Sequence, residues 1–154
     1  MKNQIYCVEV CEGIYWWFSA KKSWVCKWKG IGDYMELEIK EIVSADVIEF
    51  RTWKPKNLED VYFVIELSIG YLKEYGYDIF QTVITTSEAL RKRGISTEEA
   101  LKRKYFLVDA YNWKKIESDL AEIVRGCTCR NWDESVKKLT KHFSWEYDDE
   151  RIDE

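Results

Sequence analysis

The stretch LEDVYFVIELSIGYLKEY, residues 58–75, governs how the rest of the chain is interpreted. Its first part, residues 61–65, is apolar in nearly every direction, which is typical of a buried helix. Asn57 can cap a helix with Asp60 as its reciprocal partner, and Gly76 can end one. The pattern predicts a central buried helix over residues 57–76.

On the N-terminal side of this stretch, apolar residues alternate with period two. The alternation is visible in IYCVEVCE (5–12), in YMELEIKEI (34–42) and in VIEFRTW (47–53), where Ile48 and Phe50 share a face. The aromatic stretch GIYWWFSAKKSWVCKW, residues 13–28, predicts a hairpin with SAKKS at its turn. We therefore predict about five antiparallel strands in residues 1–54.

On the C-terminal side the spacing is helical. Capping boxes begin at Thr85, Ser96 and Asn131, and Gly94 and Gly126 can close two helices. Two apolar stripes recur at helical spacing: Trp113, Ile116, Leu120 and Val124, then Trp132, Val136, Leu139 and Phe143. YDIFQTVIT, residues 77–85, fits a helix by its spacing and a strand by its Thr, Val and Ile content.

Strands followed by helices predict an α+β fold, an N-terminal antiparallel sheet with the C-terminal helices packed on one face. We expect one domain, with residues 1–54 mainly strands, 57–143 mainly helices and 144–154 an acidic tail. The net charge of −4, from 24 basic and 28 acidic residues, argues against general attraction to nucleic acid. Absence of a signal peptide and of a membrane span, with five cysteines, predicts a cytoplasmic protein with reduced thiols.

The sequence assigns no catalytic, cofactor-binding or metal-binding residue. CVEVC (7–11) and CTC (127–129) could form two halves of a zinc site, but on a strand Cys7 and Cys11 would lie roughly 13 Å apart. A redox or metal role for Cys127 and Cys129 stays open, as does an enzyme that uses paired carboxylates.

Basic clusters suggest a second function class. RKR (91–93), KRK (102–104) and KKSWVCKWK (21–29) could bind phosphates and stack bases, so an accessory protein that binds nucleic acid is one alternative. Acids at Glu88, Glu98 and Glu99 interleave with the first two clusters, which favours an ordinary solvated helix face.

The tail WEYDDERIDE, residues 145–154, combines rings with carboxylates. It is either a frayed terminus or a surface that attracts a basic protein and anchors it through aromatic rings. On the second interpretation, the contacts are Trp145, Tyr147, Asp148, Asp149 and Glu150 of the tail, joined by Tyr15 and Trp17 of the hairpin.

IYWWF (14–18), SWVCKW (23–28) and SWEYDDERIDE (144–154), in a small acidic chain, resemble the immunity proteins of bacterial contact-dependent growth inhibition and other polymorphic toxin systems. The resemblance implies a cytoplasmic protein that is not an enzyme, needs no cofactor, and binds one cognate toxin domain, often a basic nuclease, to block its active site or substrate surface.

Overall fold

The computed structural model describes residues 7–11, 14–18, 24–28 and 35–148. The chain divides into two compact units, Met1–Tyr34 and Met35–Glu154, which are described here one at a time. The expectation of a single domain stays a prediction.

The first unit contains a three-stranded antiparallel sheet in the order β1-β2-β3. Its strands are β1 (Cys7–Cys11), β2 (Ile14–Phe18) and β3 (Trp24–Trp28). The register of β2 with β3 runs from Ile14 opposite Trp28 to Phe18 opposite Trp24. The predicted antiparallel pairing of the two aromatic strands is confirmed, while the predicted turn SAKKS lies outside the described residues.

The second unit is a mixed sheet with four helices. Its strands are β4 (Leu37–Val43), β5 (Tyr62–Tyr71), β6 (Asp78–Thr86), β7 (Phe106–Val108) and β8 (Ser144–Trp145); its helices are α1 (Ser87–Lys92), α2 (Thr97–Lys102), α3 (Trp113–Gly126) and α4 (Trp132–Leu139). Strands β4, β5 and β6 are antiparallel neighbours, while β7 runs parallel to β6 and β8 antiparallel to it. This architecture confirms the predicted α+β fold.

The predicted central helix over residues 57–76 is wrong, because this stretch forms β5. Burial alternates along it: the odd-numbered residues 61–71 are buried, whereas Val64 is 39% exposed. Asn57 does bind the backbone ahead, but its Oδ1 accepts from the N–H of Glu59, two residues on, which makes a turn instead of a helix cap. The apolar run that favoured a helix is therefore a strand. Its odd-numbered residues are buried in the core, and its other face is partly covered.

The ambiguous stretch at residues 77–85 resolves as strand β6. It pairs with β5 along eight residues, from Tyr62 opposite Thr85 to Ile69 opposite Asp78. The helix that follows is capped by Thr86, whose hydroxyl accepts from the N–H of Ala89, so the cap lies one residue after the predicted Thr85 and forms no capping box. The caps predicted at Ser96 and Asn131 are confirmed.

The strand predicted over residues 47–53 is also wrong, since this segment is a loop. Strand β4 ends at Val43, and the side chains of Ser44 and Asp46 then bind the carbonyl and N–H of Val64, as a further strand would. Ile48 is 99% exposed while Phe50 is buried against Trp113, with ring centroids 4.1 Å apart. The two residues therefore do not share a face.

Helices α3 and α4 pack on the face of the sheet that carries the buried row of β5. All four residues of the predicted α3 stripe are buried in the main core, as are Val136, Leu139 and Phe143 of the second stripe. Helix α4 ends at Leu139, so Phe143 reaches the core from the turn beyond it. The periodicity of both helices was sufficient to predict which side faces inward.

Helix α1 lies against the other face, at one end of β6. Val83 and Thr85, which alternate with Ile84 of the main core, are buried there together with Leu90 of α1. The guanidinium of Arg93, at the C-terminal end of α1, lies 4.0 Å from the centre of the Tyr62 ring. Farther along this face, Val64 and Gln81 are exposed.

The turn between β5 and β6 folds back closely on the end of β5. A Cβ atom on Gly70 would lie 2.1 Å from the carbonyl oxygen of Gly76, so only glycine fits. This close contact sets the position of the turn residues 72–77, which precede Asp78.

We predict that Ile65→Ala lowers the free energy of unfolding by about 2–5 kcal/mol, because it leaves a cavity in the core. The neighbouring change Val64→Ala should cost about 1 kcal/mol or less, because its side chain is 39% exposed on the opposite face. Urea unfolding of both variants measures the difference. Equal losses would contradict the alternating burial of β5.

Candidate functional site

Asp78, the first residue of β6, holds two tryptophans that are distant in sequence. Its Oδ2 accepts hydrogen bonds from the indole N–H of Trp132, at 3.2 Å, and from that of Trp145, at 3.1 Å. Trp132 also contacts Tyr71 edge to face, with ring centroids 5.5 Å apart. One carboxylate oxygen thus fixes the orientation of both indoles at this end of the sheet.

The start of the acidic tail is docked on β6. Trp145 of β8 lies opposite Phe80 and stacks on its ring, with centroids 6.3 Å apart. Glu146 binds Ile79 twice: its N–H donates to the Ile79 carbonyl at 3.1 Å, and its Oε1 accepts from the Ile79 N–H at 2.8 Å. The interpretation of the tail as a frayed terminus therefore does not apply to residues 144–148.

Asp148 closes this docked segment. Its Oδ2 accepts from the backbone N–H of Trp145 at 3.1 Å and from the Lys104 ammonium at 3.3 Å. Tyr147, between them, contacts Trp145 edge to face at a centroid distance of 5.1 Å. The segment is held by backbone, aromatic and ionic contacts together.

Several rings at this end of the molecule remain accessible. Tyr147 is 40% exposed, Tyr77 is 54% exposed and Tyr75 is fully exposed. The two segments that contribute them, residues 72–78 and 144–148, contain four carboxylates and one lysine. We call this region the Asp78 surface; it consists of Tyr75, Tyr77, Asp78, Trp132, Trp145, Glu146, Tyr147 and Asp148.

Three of the predicted contact residues, Trp145, Tyr147 and Asp148, therefore lie together on one surface. Asp149 and Glu150 lie outside the described residues. Tyr15 and Trp17 belong to β2, and their side chains lie outside the described part of the chain. The role of all seven residues in binding stays a prediction.

Asp78, Trp132 and Tyr77 were not predicted. Asp78 joins Trp132 and Trp145 through hydrogen bonds that span 54 and 67 residues, for which the sequence shows no spacing. Trp132 was expected only as part of a core stripe. The signal that could have indicated its role is the indole N–H, because a buried N–H needs a hydrogen-bond acceptor.

The two basic clusters are largely neutralised by nearby carboxylates. The pairs are Arg91–Glu88, Lys92–Asp60, Lys102–Glu98, Arg103–Glu99 and Lys104–Asp148. These contacts support the solvated helix face over the nucleic-acid alternative, because paired cations have less charge to offer to phosphates.

A tyrosine pair lies between the two clusters. The hydroxyls of Tyr62 and Tyr105 are 3.0 Å apart. The pKa of Tyr105 is lowered by this hydrogen bond and by a second one with Arg103, while the same bond raises the pKa of Tyr62. Arg93 and Arg103 thus contact the two tyrosines, Arg93 over the ring of Tyr62 and Arg103 through a hydrogen bond with Tyr105.

A groove of about 630 Å³ lies between β4 and α3. Carboxylates line it, but Glu38 lies 2.5 Å from Lys40 and Glu117 lies 3.8 Å from Arg51. Two of the five carboxylates that line the groove thus have cationic partners. This pairing gives the enzyme alternative no specific support.

Cys127 is a buried free thiol, and Cys129 is buried as well. Burial raises the pKa of Cys127 to about 11, so its thiol stays protonated and unreactive at neutral pH. Among the described residues, no group of three or more His, Cys, Asp or Glu side chains could hold a metal ion. The arrangement favours a packing role for this thiol over a redox role.

None of the helices formed by the described residues is long and apolar enough to cross a membrane. A comparison with curated proteins and another with solved structures found no match.

A family model described as Immunity protein 8 matches residues 37–150. This match places the chain among the immunity proteins of polymorphic toxin systems, each of which neutralises a cognate toxin. Because the matched range covers well over half of the 154 residues, the chain belongs to the Immunity protein 8 family. The predicted resemblance is confirmed, and every residue of the Asp78 surface lies within the matched range.

We predict that alkaline pH destabilises the fold through Cys127. The folded pKa of about 11 lies above the ordinary value of 9.0, so the folded state keeps a proton that the unfolded state loses, and stability falls as pH rises from 9 to 11. The loss should reach about 2–3 kcal/mol relative to Cys127→Ala, at about 1.4 kcal/mol per pKa unit. Urea unfolding of both proteins across this range is the measurement; parallel profiles would contradict the buried neutral thiol.

Proposed function

We propose that the Asp78 surface is where this immunity protein binds its toxin. The observation that carries the proposal is the set of exposed tyrosines around two indoles fixed by one carboxylate. Binding energy concentrates in aromatic residues, and side chains already held in place lose less entropy on binding. Several such rings, reaching from the β5–β6 turn to α4 and the tail, suit the centre of an interface of roughly 800 Å² per partner.

We further propose that the toxin domain is basic, and specifically a nuclease. Support comes from the excess of carboxylates over cations in the segments that build the Asp78 surface. Carboxylates beside aromatic anchors accelerate encounter with a cationic protein and favour it over other partners. Incubating the toxin domain with plasmid DNA and with RNA, with and without this protein, would test the nuclease assignment.

Inhibition in this proposal is by binding alone, with no chemical step on the part of the immunity protein. The proposed compartment is the cytoplasm, and a contact-dependent growth inhibition system is the proposed setting. The free thiol of Cys127 supports a reducing environment, because secreted domains of this size commonly oxidise such thiols.

We predict that Tyr77→Ala and Tyr147→Ala each weaken toxin binding about tenfold or more, as expected for aromatic residues in an interface centre. Calorimetry with the toxin domain encoded beside this gene measures the affinity, and growth of cells that express the toxin measures protection.

Leu101→Ala is the matched control, since Leu101 is 60% exposed on α2, outside the Asp78 surface. It should leave affinity and protection unchanged. If both tyrosine variants also bind and protect like the wild type, the toxin occupies another surface.

A further inference from the structure

The second carboxylate oxygen of Asp78 has unused capacity. Oδ2 accepts both indole N–H groups, whereas no residue in the described part of the chain donates to Oδ1. An ionised carboxylate has about four acceptor positions. Half of the hydrogen-bonding capacity of Asp78 is therefore available to an incoming group.

The charge of Asp78 is also uncompensated within the described residues. None of their lysine, arginine or histidine side chains lies within 4 Å of it, although Asp148 nearby is paired with Lys104. Asp78 is half-buried, so a cation reaching it would be screened less than at a fully exposed site. The indoles of Trp132 and Trp145 meet Asp78 through their N–H edges, so the attraction for a cation comes from the carboxylate itself.

We infer that Oδ1 of Asp78 receives one lysine or arginine side chain of the toxin, beside the rings of Trp132 and Trp145. This inference rests on the proposed function and adds a specificity determinant to it. The occupant is cationic because a carboxylate favours a cation and disfavours an anion. It is a single side chain because Oδ2 is already occupied by the two indoles. A toxin without a cation at that point would leave the carboxylate partly desolvated and unpaired, which discriminates against it.

Asp78→Asn tests the inference with little change in shape. The amide oxygen can still accept hydrogen bonds from both indoles. The negative charge is removed, and an NH₂ group, which donates, replaces the second oxygen. We expect affinity for the purified toxin domain to fall about 30-fold or more, mainly through faster dissociation, as for the loss of one member of a desolvated charge pair. The indole N–H resonances of Trp132 and Trp145 should stay close to their wild-type positions.

Asp109→Asn is the control, since it makes the same change in net charge at an exposed position before α3. It should alter affinity by less than about twofold, because a distant exposed charge contributes little. An equal loss in both variants would show that general acidity, not Asp78, attracts the toxin.

Single replacement of each lysine and arginine of the toxin by methionine supplies a second, independent measurement. One of these replacements should weaken binding to the wild-type immunity protein about 30-fold. The same replacement should weaken binding to the Asp78→Asn variant little further. This coupling distinguishes a toxin cation that contacts Asp78 from one that binds elsewhere on the interface. A complex in which no toxin cation matters, or in which Asp78→Asn binds within threefold of wild type, overturns the inference while the proposed function stands. Failure of the wild-type protein to bind the toxin overturns the proposed function itself.

Discussion

The pairing of β5 along both of its edges is the constraint on which the second unit depends. Strand β4 occupies one edge and β6 the other, and the odd-numbered side chains between them form a continuous apolar row. That row must be covered, and the stripes of α3 and α4 cover it. The same pairing places Asp78 opposite Ile69 at the end of the sheet, where α4 and the tail can reach it.

The sequence predicted those elements whose two faces differ strongly. Strand β4 begins by alternating apolar residues with charged ones, and α3 carries one clear stripe whose four residues are all buried. Strand β5 was mistaken for a helix because Tyr62 and Val64 on its second face are apolar too. The β-branched and aromatic residues around them favoured a strand. A short apolar run, however, fits both the helical period of 3.6 residues and the strand period of two. The strand predicted in the β4–β5 connection was wrong. The side chains of Ser44 and Asp46 bind the backbone of Val64 there in place of a paired strand, and such bonds produce no periodic sequence pattern.

The candidate site was predictable only in part, and for a physical reason. Rings next to carboxylates in the tail could be recognised within a few residues of sequence. Their partners could not, because Asp78 meets Trp145 only through the register of β8 on β6. The basic clusters show the converse: most of their ion pairs join residues three or four apart on a helix, a spacing that sequence displays directly.

The docking of β8 on β6 adds the last residues of the Asp78 surface to the second unit. A growing chain that has passed α4 but not yet reached Trp145 already contains β4 to β7 and all four helices. In such a chain Asp78 has one indole to hold instead of two, and Tyr147 does not yet exist. The Asp78 surface is thus complete only after residues 144–148 have been made. Under the proposed function, a chain that stops before Trp145 lacks part of its binding surface, and protection begins only when translation has passed residue 148.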